Sequence, residues 1–278
     1  MPLSINTNIA SMTAQRAFLN SNASLETAFE RLSTGKRVNS AVDDAAGLAI
    51  GKDLESRVSG LNQAIRNVND GISMVQIAEG VYDEVTTIIQ RMRDLAVQAA
   101  TDSVSSTERG YLDAEQSTLV TAMDNVINQA KFGDVDLVDA DGQTFTIHSG
   151  ANASETISVV ASNTNVDSAA ALSIDAGTIV LTTQTGANTA IGALDTALGH
   201  IASHRAVLGA TQAQLESTVR NLSNVAENTA AAAGRIMDTD YAAETANLTK
   251  AQILQQAATS ILAQANAQPQ AVLTLLQQ

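Results

Sequence analysis

Apolar residues between positions 191 and 226 recur at alternating three- and four-residue steps. The recurring positions are Ile191, Leu194, Leu198, Ile201, Leu208, Leu215, Val219 and Leu222, with Arg205, Gln212 and Ala226 in the remaining places. This heptad pattern contains no proline and predicts a coiled-coil helix. A single narrow apolar row cannot bury itself, so we expect the rest of the chain to supply its partners.

The N-terminal end carries an amphipathic helical stripe. Its apolar positions are Ile5, Ile9, Met12, Leu19, Leu25, Phe29 and Leu32. Ser33-Thr34-Gly35 breaks the stripe, and residues 36–42 are typical of extended connecting chain. Ser40 and Asp43 resemble an N-cap pair, which places Asp43 and Asp44 at the positive end of the next helix.

Two further helical patterns follow. The first runs through Leu54, Val58, Leu61, Ile65, Val68, Ile72 and Val75, slips in register near Ile77, and resumes at Val81, Val85, Ile88, Met92, Leu95 and Ala99. Such a slip alters supercoiling locally without ending a helix. After a polar break at residues 101–107, the second pattern comprises Leu112, Leu119, Met123, Val126 and Ala130. We therefore expect two helices, the longer one with a register slip.

The period of the pattern changes between residues 131 and 190. Residues 135–138 and 145–148 flank Asp139-Ala140-Asp141-Gly142, which predicts a β-hairpin. Residues 156–160 and 178–183 are further strand candidates. Because this segment carries seven acidic residues against one lysine, a local charge of −6, we expect it to be strongly solvated.

A broad apolar helical face returns near the C-terminal end. It comprises Leu248, Ile253, Leu254, Ala257, Ile261, Leu262 and Ala265, followed by a patch of Val272, Leu273, Leu275 and Leu276. The order of elements predicts a mainly α fold, in which N- and C-terminal segments form a long coiled-coil helical bundle with a small β-hairpin region at its outer tip. The corresponding segments are residues 1–42, 43–130, 131–190, 191–235 and 236–278.

The two terminal helices have stripes too thin to bury themselves in one molecule. Each presents a narrow row of apolar residues, and pairing one thin row with another leaves apolar surface exposed to water. We therefore expect both ends of the chain to pack against neighbouring copies.

Composition and charge narrow the functional classes. The 278 residues include no Cys, and the formal net charge is −14. Such a chain lacks the clustered Lys and Arg that nucleic acid binding requires, and no apolar run approaches the ~20 residues of a membrane span. The absence of Cys excludes disulfides and thiolate chemistry. The first residues lack the features of a secretory signal, which leaves a cytoplasmic protein and one exported by a signal-independent route as alternatives.

The candidate sites for chemistry each have a simpler interpretation. His200 and His204 have metal-ligand spacing but no third ligand nearby, which favours solvation or packing. Asp43 and Asp44 are paired carboxylates whose position in a first helical turn is explained by the helix dipole. The acidic segment 131–190 lacks the spaced ligands of an EF-hand calcium loop. We therefore expect no metal, no cofactor, no catalytic residues and no enzyme activity.

Several motifs resemble the signatures of bacterial flagellins. In the N-terminal half they are LSTGKRVNSAVDDAAGLAI at residues 32–50, RNVNDGIS at 66–73 and QRMRDLAVQ at 90–98, and GANA follows at 150–153. In the C-terminal part they are DTDYA at 238–242, AQILQQA at 251–257 and LAQANAQPQ at 262–270. A set of motifs in this order is far more specific than any one of them alone.

The resemblance implies a secreted structural subunit that self-assembles into the extracellular bacterial flagellar filament for swimming motility. It implies an inner tube of terminal helices, an outer tube of the three long helices and an outward-facing β ridge. The implied inner-tube residues are Ile5, Ile9, Met12, Leu19, Leu25, Phe29, Leu32, Leu248, Ile253, Leu254, Ile261, Leu262, Leu273, Leu275 and Leu276. It further implies unfolded export through the flagellar type III apparatus, in keeping with the absent Cys and the lack of a signal sequence.

The implied partners are other flagellin subunits, a hook-filament junction protein, a filament cap protein and a flagellin export chaperone on the C-terminal helix. The resemblance also implies recognition by the flagellin-sensing Toll-like receptor of a host. The residues that match its recognition positions are Gln90, Arg91, Leu95 and Glu115. The alternative interpretation is that Arg91 and Glu115 cross-link adjacent helices or lie buried between subunits.

Two departures and two alternatives qualify the resemblance. The large outer variable domains of long flagellins are absent, and Phe132-Gly133-Asp134 stands where many members carry Phe-Asn-Gly. One alternative is the homologous hook-filament junction protein, which the fit of residues 251–270 to the flagellin ending disfavours. The other is an exported coiled-coil effector that does not polymerise.

Overall fold

A computed structural model describes residues 8–138, 144–160, 172, 174 and 179–276, with the backbone alone for residues 268–276. In chain order its elements are α1 (Ile9–Thr34), α2 (Ala45–Ala99), α3 (Ser106–Asn128), β1 (Lys131–Phe132), β2 (Val135–Asp136), β3 (Thr144–His148), β4 (Thr156–Val160), α4 (Gln184–Met237) and α5 (Tyr241–Leu276). The predicted mainly α fold class is confirmed. The chain divides into a terminal unit, which comprises residues up to Ser56 and from Asn228 onward, and a central unit, Arg57–Glu227.

The terminal unit contains α1 and α5, which pack side by side in opposite directions. Asn8 Nδ2 donates a hydrogen bond to Ala265 O at 2.8 Å, and Gln255 Nε2 donates one to Asn22 Oδ1 at 3.0 Å. The buried residues of this pair are mostly small: Ala14, Ala28, Ala251, Ala258 and Ala265. Because alanine allows two helices to approach closely, the pairing is tight but covers few large side chains.

Helix α1 ends where the sequence predicts a break. Gly35 takes the left-handed conformation, with φ of 69°, which glycine adopts without steric cost. The chain after Gly35 lies against the end of α4, since Arg37 N donates to Met237 O at 2.6 Å and Thr239 N donates to Gly35 O at 3.0 Å. These backbone bonds hold the chain that follows α1 against the chain that joins α4 to α5.

The N-terminus of α2 differs from the predicted one. Helix α2 begins at Ala45, and Asp44 Oδ1 accepts a hydrogen bond from the Gly47 N–H at 2.9 Å, which makes Asp44 the capping residue. Asp43 Oδ2 instead accepts from the Ser40 N–H at 2.9 Å. This backbone bond is the largest cause of the lowered pKa of the Asp43 carboxyl. Ser40 and Asp43 therefore close the connecting turn, because Ser40 lies too far from α2 to cap it.

The central unit is organised by α2 and α4, which run antiparallel. The facing pairs, in order along α2, are Gly71 with Leu215, Tyr82 with His204, and Arg93 with Asp195, and just after the end of α2 Ala100 faces Gln184. Each step toward the C-terminus of α2 is matched by a nearly equal step toward the N-terminus of α4. The two helices thus remain in register over roughly 44 Å at ~1.5 Å per residue.

The buried face of α2 is an unbroken heptad row. It comprises Leu61, Ala64, Val68, Gly71, Val75, Ala78, Tyr82, Val85, Ile89, Met92, Ala96 and Ala99. The predicted slip near Ile77 is wrong, because Ile77 is exposed and its neighbour Ala78 fills the buried position. Alanine and glycine carry little hydrophobic signal, yet they suit a seam position where the facing helix comes close.

The facing row on α4 also differs from the predicted one by single-residue steps. Its buried members are Ala187, Ala190, Leu194, Ala197, Ile201, His204, Leu208, Leu215, Leu222 and Ala226. His204 occupies the place predicted for Arg205, which lies beside the row and pairs with Asp83 at 3.0 Å. Helix α4 also begins earlier than the predicted residue 191, because Thr183 Oγ1 accepts a hydrogen bond from the Gly186 N–H at 3.1 Å.

The strands pair differently from the predicted hairpin. β1 pairs with β2 through a turn at Gly133, whose φ is 61°, and β3 pairs with β4, Ile147 opposite Ile157. The predicted pairing of residues 135–138 with 145–148 is therefore wrong, because each segment finds another strand; its loop, 139–142, lies outside the described residues. Residues 156–160 form the predicted strand, whereas residues 179–183 of the other candidate are not in a strand.

The β3–β4 hairpin lies along α2 and not at the predicted outer tip. Asn67 Nδ2 donates to His148 O at 3.3 Å, and Ile147 packs against Gly71, where a side chain would collide with it. The end of α2 at Ala99 is roughly 42 Å further along the helix at ~1.5 Å per residue. Glycine in α2 leaves room for the hairpin to pack there, which explains the difference.

Helix α3 begins with a capping box. Ser105 Oγ accepts from the Glu108 N–H at 3.3 Å, and Glu108 Oε2 accepts from the Ser105 N–H at 2.8 Å. Arg109 Nε donates to Ala99 O at 2.8 Å and thereby satisfies a carbonyl at the end of α2. The polar break predicted at residues 101–107 is thus a closely hydrogen-bonded reversal between two helices.

Replacing Glu108 with Gln is expected to remove a pH-dependent part of the stability of α3. The hydrogen bonds with Ser105, that to its backbone N–H first, lower the pKa of the Glu108 carboxyl. The stabilisation is therefore present above the ordinary glutamate pKa of about 4.3 and is lost as the pH falls through the lower value of the folded state. Amide exchange protection at the start of α3 measures this. A control variant, Glu84→Gln, keeps the wild-type pH dependence; the same dependence in Glu108→Gln would contradict the prediction.

Candidate self-association surface

The terminal unit leaves large apolar side chains exposed on both of its helices. They are Ile9, Met12, Leu19 and Phe29 on α1, and Ile253, Leu254 and Ile261 on α5, each between 46% and 69% exposed. Soluble monomers rarely leave so many large apolar side chains together on one helix pair. We call these seven residues the association surface.

The position of the association surface follows from the alanine spacing of the two helices. Ala251, Ala258 and Ala265 recur every seven residues on α5 and form its face toward α1. Because seven residues make about two helical turns, the three alanines line one side of α5. Larger residues such as Ile253 and Ile261 are then turned outward. The sequence analysis missed the alanine seam, for which the signal was the repeated seven-residue spacing.

The predicted inner-tube residues fall into three groups in the structure. Seven of them form the association surface, and Leu25, Leu32, Leu248 and Leu262 are half-buried. Ile5 lies outside the described residues, as do the side chains of Leu273, Leu275 and Leu276. Among the described inner-tube residues, none is fully buried within this chain.

The receptor-recognition candidates divide between surface and core. Gln90, Arg91 and Glu115 are exposed, and Arg91 pairs with Glu115 at 2.6 Å across α2 and α3. Leu95 is 1% exposed and belongs to the core of the central unit. The structure therefore brings three of the four candidates to a shared surface of α2 and α3 and places the fourth beneath it.

Ion pairs between α2 and α4 form a second set of polar contacts that the sequence analysis missed. Arg93 Nε donates to Asp195 Oδ1 at 2.6 Å, and this bond is the largest cause of the lowered pKa of the Asp195 carboxyl. Arg205 lies 3.0 Å from Asp83 and 3.7 Å from Glu79. Only the register between the two helices brings these residues together, so no local sequence signal identifies them.

The two histidines considered as metal ligands have different surroundings. His204 is buried against Tyr82, with ring centroids 5.0 Å apart at an interplanar angle of 79°, whereas His200 is exposed. Within the described residues, His, Asp and Glu form no group of three or more with metal-site geometry. In the same part of the chain, no helix has the length and apolar character needed to cross a membrane.

Comparison with known proteins found relatives over nearly the whole chain. A flagellin of Halalkalibacterium halodurans is 42% identical over 98% of this chain and 99% of its own. The flagellar filament 33 kDa core protein of Treponema phagedenis is 40% identical, again over 98% and 99%. Flagellin A of Vibrio anguillarum is 33% identical over 100% of both chains. A crystal structure of Bacillus cereus flagellin covers 60% of this chain and 94% of its own, with 29% identity and a TM-score of 0.49.

Two family models match separate parts of the chain. The bacterial flagellin N-terminal helical region matches residues 5–142, and the bacterial flagellin C-terminal helical region matches residues 191–276. The stretch between the two matches contains β3 and β4, so the long helices account for most of the agreement. With these two matches and relatives at 33–42% identity over nearly its whole length, the chain belongs to the bacterial flagellin family.

Proposed function

We propose that this chain is a structural subunit of the bacterial flagellar filament, and that its copies assemble by burying the association surface. The observation that carries the proposal is the alanine seam between α1 and α5, which leaves seven large apolar side chains outside. The relatives named flagellin and flagellar filament core protein support it. In this function the protein is extracellular and serves swimming motility.

The size of the association surface favours a polymer over a dimer. Full burial of one large apolar side chain contributes about 1.5–3 kcal/mol, and the seven are about half exposed, so about 5–10 kcal/mol remains to be gained. Association costs about 4–15 kcal/mol in lost freedom and side-chain ordering. Contact with one neighbour covers only part of the surface and therefore recovers only part of this gain. An array that covers it from several sides recovers the whole gain.

Seeded elongation tests the proposed function. Purified monomer mixed with sheared filament fragments should extend them into fibres that are visible by negative-stain electron microscopy, above a definite critical concentration. Monomer that leaves intact seeds unextended at every concentration tested would contradict the proposal. The hook-filament junction protein remains the alternative, and extension of seeds to many times their starting length would exclude it.

We further infer that the chain is exported unfolded through the flagellar type III apparatus. Two features support this. The chain contains no Cys and therefore no covalent cross-link. The seam between α1 and α5 consists mostly of alanine, so few large side chains hold these helices in the folded state. The export chaperone, the hook-filament junction protein and the filament cap protein are the partners inferred along this route. Detection of the protein in the medium of cells that lack the apparatus would contradict the export route.

A second candidate function is recognition by a flagellin-sensing Toll-like receptor. The supporting observation is that Gln90, Arg91 and Glu115 are exposed near one another on α2 and α3. Arginine is enriched among the residues that contribute most to binding at protein interfaces. Leu95 contributes through the packing of α2, because its side chain is in the core.

Replacing Arg91 with Ala is expected to lower receptor activation at least about ten-fold, as the loss of an interface arginine commonly does. The free energy of unfolding should change by less than about 1 kcal/mol, since the exposed Arg91–Glu115 pair contributes little. A reporter-cell assay and urea unfolding measure the two quantities. Arg93→Ala, which breaks the partly exposed pair with Asp195, is the control and should keep full activation. If the Arg91 variant activated the receptor as the wild type does, the Arg91–Glu115 pair would be only a structural cross-link between α2 and α3.

A further inference from the structure

The break between α4 and α5, residues 238–240, is short and contains neither glycine nor proline. Helical hydrogen bonds reach it from both sides. At the end of α4, Asp238 N donates to Gly234 O at 2.8 Å, and at the start of α5, Glu244 N donates to the carbonyl of Asp240 at 2.9 Å. The Asp240 side chain caps α5. A cap starts a helix but does not end the preceding one, so the reason that α4 ends lies elsewhere in the fold.

The backbone groups that would continue α4 are bonded to the chain that follows α1. In an uninterrupted helix, the Thr239 N–H would donate to the carbonyl four residues before it, and Ile236 O and Met237 O would accept from the N–H groups four residues after them. Instead, Thr239 N donates to Gly35 O at 3.0 Å. Ile236 O accepts from Arg37 Nη2 at 2.9 Å, and Met237 O accepts from Arg37 N at 2.6 Å. Because the Thr239 N–H carries a single proton, these contacts and an uninterrupted helix compete for it.

The chain that makes these contacts is itself anchored near the start of α2. We call residues 35–38 the strap. Val38 is buried, and Lys36 Nζ lies 2.6 Å from Glu55 Oε1 on α2. Lys52 Nζ lies 2.8 Å from the other oxygen of the same carboxylate. The strap is therefore held in the terminal unit without any contribution from α5.

We propose that the strap imposes the break between α4 and α5, and that Arg37 is the positioning residue that holds it. A cation at the C-terminus of α4 interacts favourably with the helix dipole, and the guanidinium donates to a carbonyl that the helix leaves unpaired. With the strap bonded, α5 starts beside Gly35, where α1 ends, and its alanine face meets α1. With the strap released, α4 continues into α5 and this closed end of the helix pair is lost. The inference rests on the proposed function, because the association surface takes residues from both α1 and α5.

Amide exchange in the monomer, followed by NMR, separates this role from a loss of structure. The N–H groups of Asp240 and Tyr241 form no hydrogen bond with a described residue, so they should exchange rapidly in the wild type. Arg37→Pro removes both donors of Arg37 at once. In this variant the two amides should exchange at least about ten-fold more slowly, because they then donate to Ile236 O and Met237 O within a joined helix. Equal or faster exchange would overturn the inference, since a strap that only stabilises the fold leaves these amides unprotected when it is lost.

The matched control is Ala41→Pro, which places a proline in the same connecting chain. Asp43 N donates to Ser40 O at 3.2 Å, so Ala41 occupies the second position of a β-turn, where proline is favoured. The two amides of this control should exchange as they do in the wild type. Far-UV circular dichroism should show that Arg37→Pro keeps the wild-type helix content, because joining α4 to α5 removes no helical turn. A loss of helix would also overturn the inference.

Seeded elongation measures the consequence for assembly. The critical concentration of the Arg37→Pro protein should rise at least about ten-fold, since α5 no longer starts beside the end of α1. Arg37→Lys keeps the backbone donor and a cation at the end of α4, so it should stay within about three-fold of the wild type, as should Ala41→Pro. Elongation of Arg37→Pro at the wild-type critical concentration would overturn the inference alone. Failure of the wild type to elongate would instead overturn the proposed function, while amide exchange at the break still tests the strap.

Discussion

Replacing Ile9 with Asp is expected to abolish seeded elongation while the monomer keeps α1. Ile9 is the first residue of α1 and is 69% exposed, so the new carboxylate stays in water in the monomer. The first turn of α1 contains no acidic residue, and a carboxylate there interacts favourably with the helix N-terminus. The substitution therefore does not destabilise the helix that carries it.

The same carboxylate is costly once neighbouring copies cover it. Moving one charge from water into an apolar contact costs several kcal/mol, which is comparable with the whole gain of about 5–10 kcal/mol from the association surface. Electron microscopy of seeded reactions and far-UV circular dichroism of the monomer measure the two effects. Ile9→Leu, which keeps an apolar side chain, should still elongate. Elongation of the Ile9→Asp protein at the wild-type critical concentration would remove Ile9 from the contact between copies.

Replacing Tyr82 with Ala is expected to cause the largest loss of stability among single substitutions in the α2–α4 seam. The Tyr82 side chain is fully buried and packs edge-on against His204 of α4. Truncation removes its apolar contacts and leaves a cavity that the two long helices cannot close, because contacts above and below hold them in register. By comparison with other buried aromatic residues, the free energy of unfolding should fall by about 3–5 kcal/mol.

Urea unfolding followed by circular dichroism measures the Tyr82 effect. The matched control is Tyr111→Ala on α3, where the same side chain is 72% exposed and the free energy of unfolding should change by about 0.5 kcal/mol or less. If the two variants lost equal stability, the heptad row that places Tyr82 in the seam would be incorrect. A small change in both would have the same meaning.

The helices and their breaks were predictable because their signals are local. A left-handed glycine ends α1 at Gly35, and Ser105 with Glu108 forms the capping box that begins α3. The long apolar periods likewise identify α2, α4 and α5 from neighbouring residues alone. The prediction for the connecting turn was less accurate. Ser40, Asp43 and Asp44 all favour hydrogen bonds to the backbone, and only the folded chain shows which of them caps α2.

The buried member of each adjacent pair was not predictable in the same way. The apolar pattern favours Ile77 over Ala78 and omits Gly71, whereas the structure buries the small residues and exposes Ile77. A larger apolar side chain gains more free energy when it is buried, so the pattern favours it. Whether it fits depends on the distance between the two helices, which the pattern does not contain. For the candidate site, the large apolar residues of α1 and α5 were identified, but the alanine seam that turns them outward was not.

The amino-acid sequence by itself determined the mainly α class, the order of the helices and the apolar stripes that are too thin for one molecule to bury. Tertiary structure alone decided the strand pairing, the position of β3 and β4 along α2, and the Arg93–Asp195 pair. The physical reason is range. Helix periodicity and capping act within a few residues, whereas register, close approach and charge pairing depend on residues far apart in the chain.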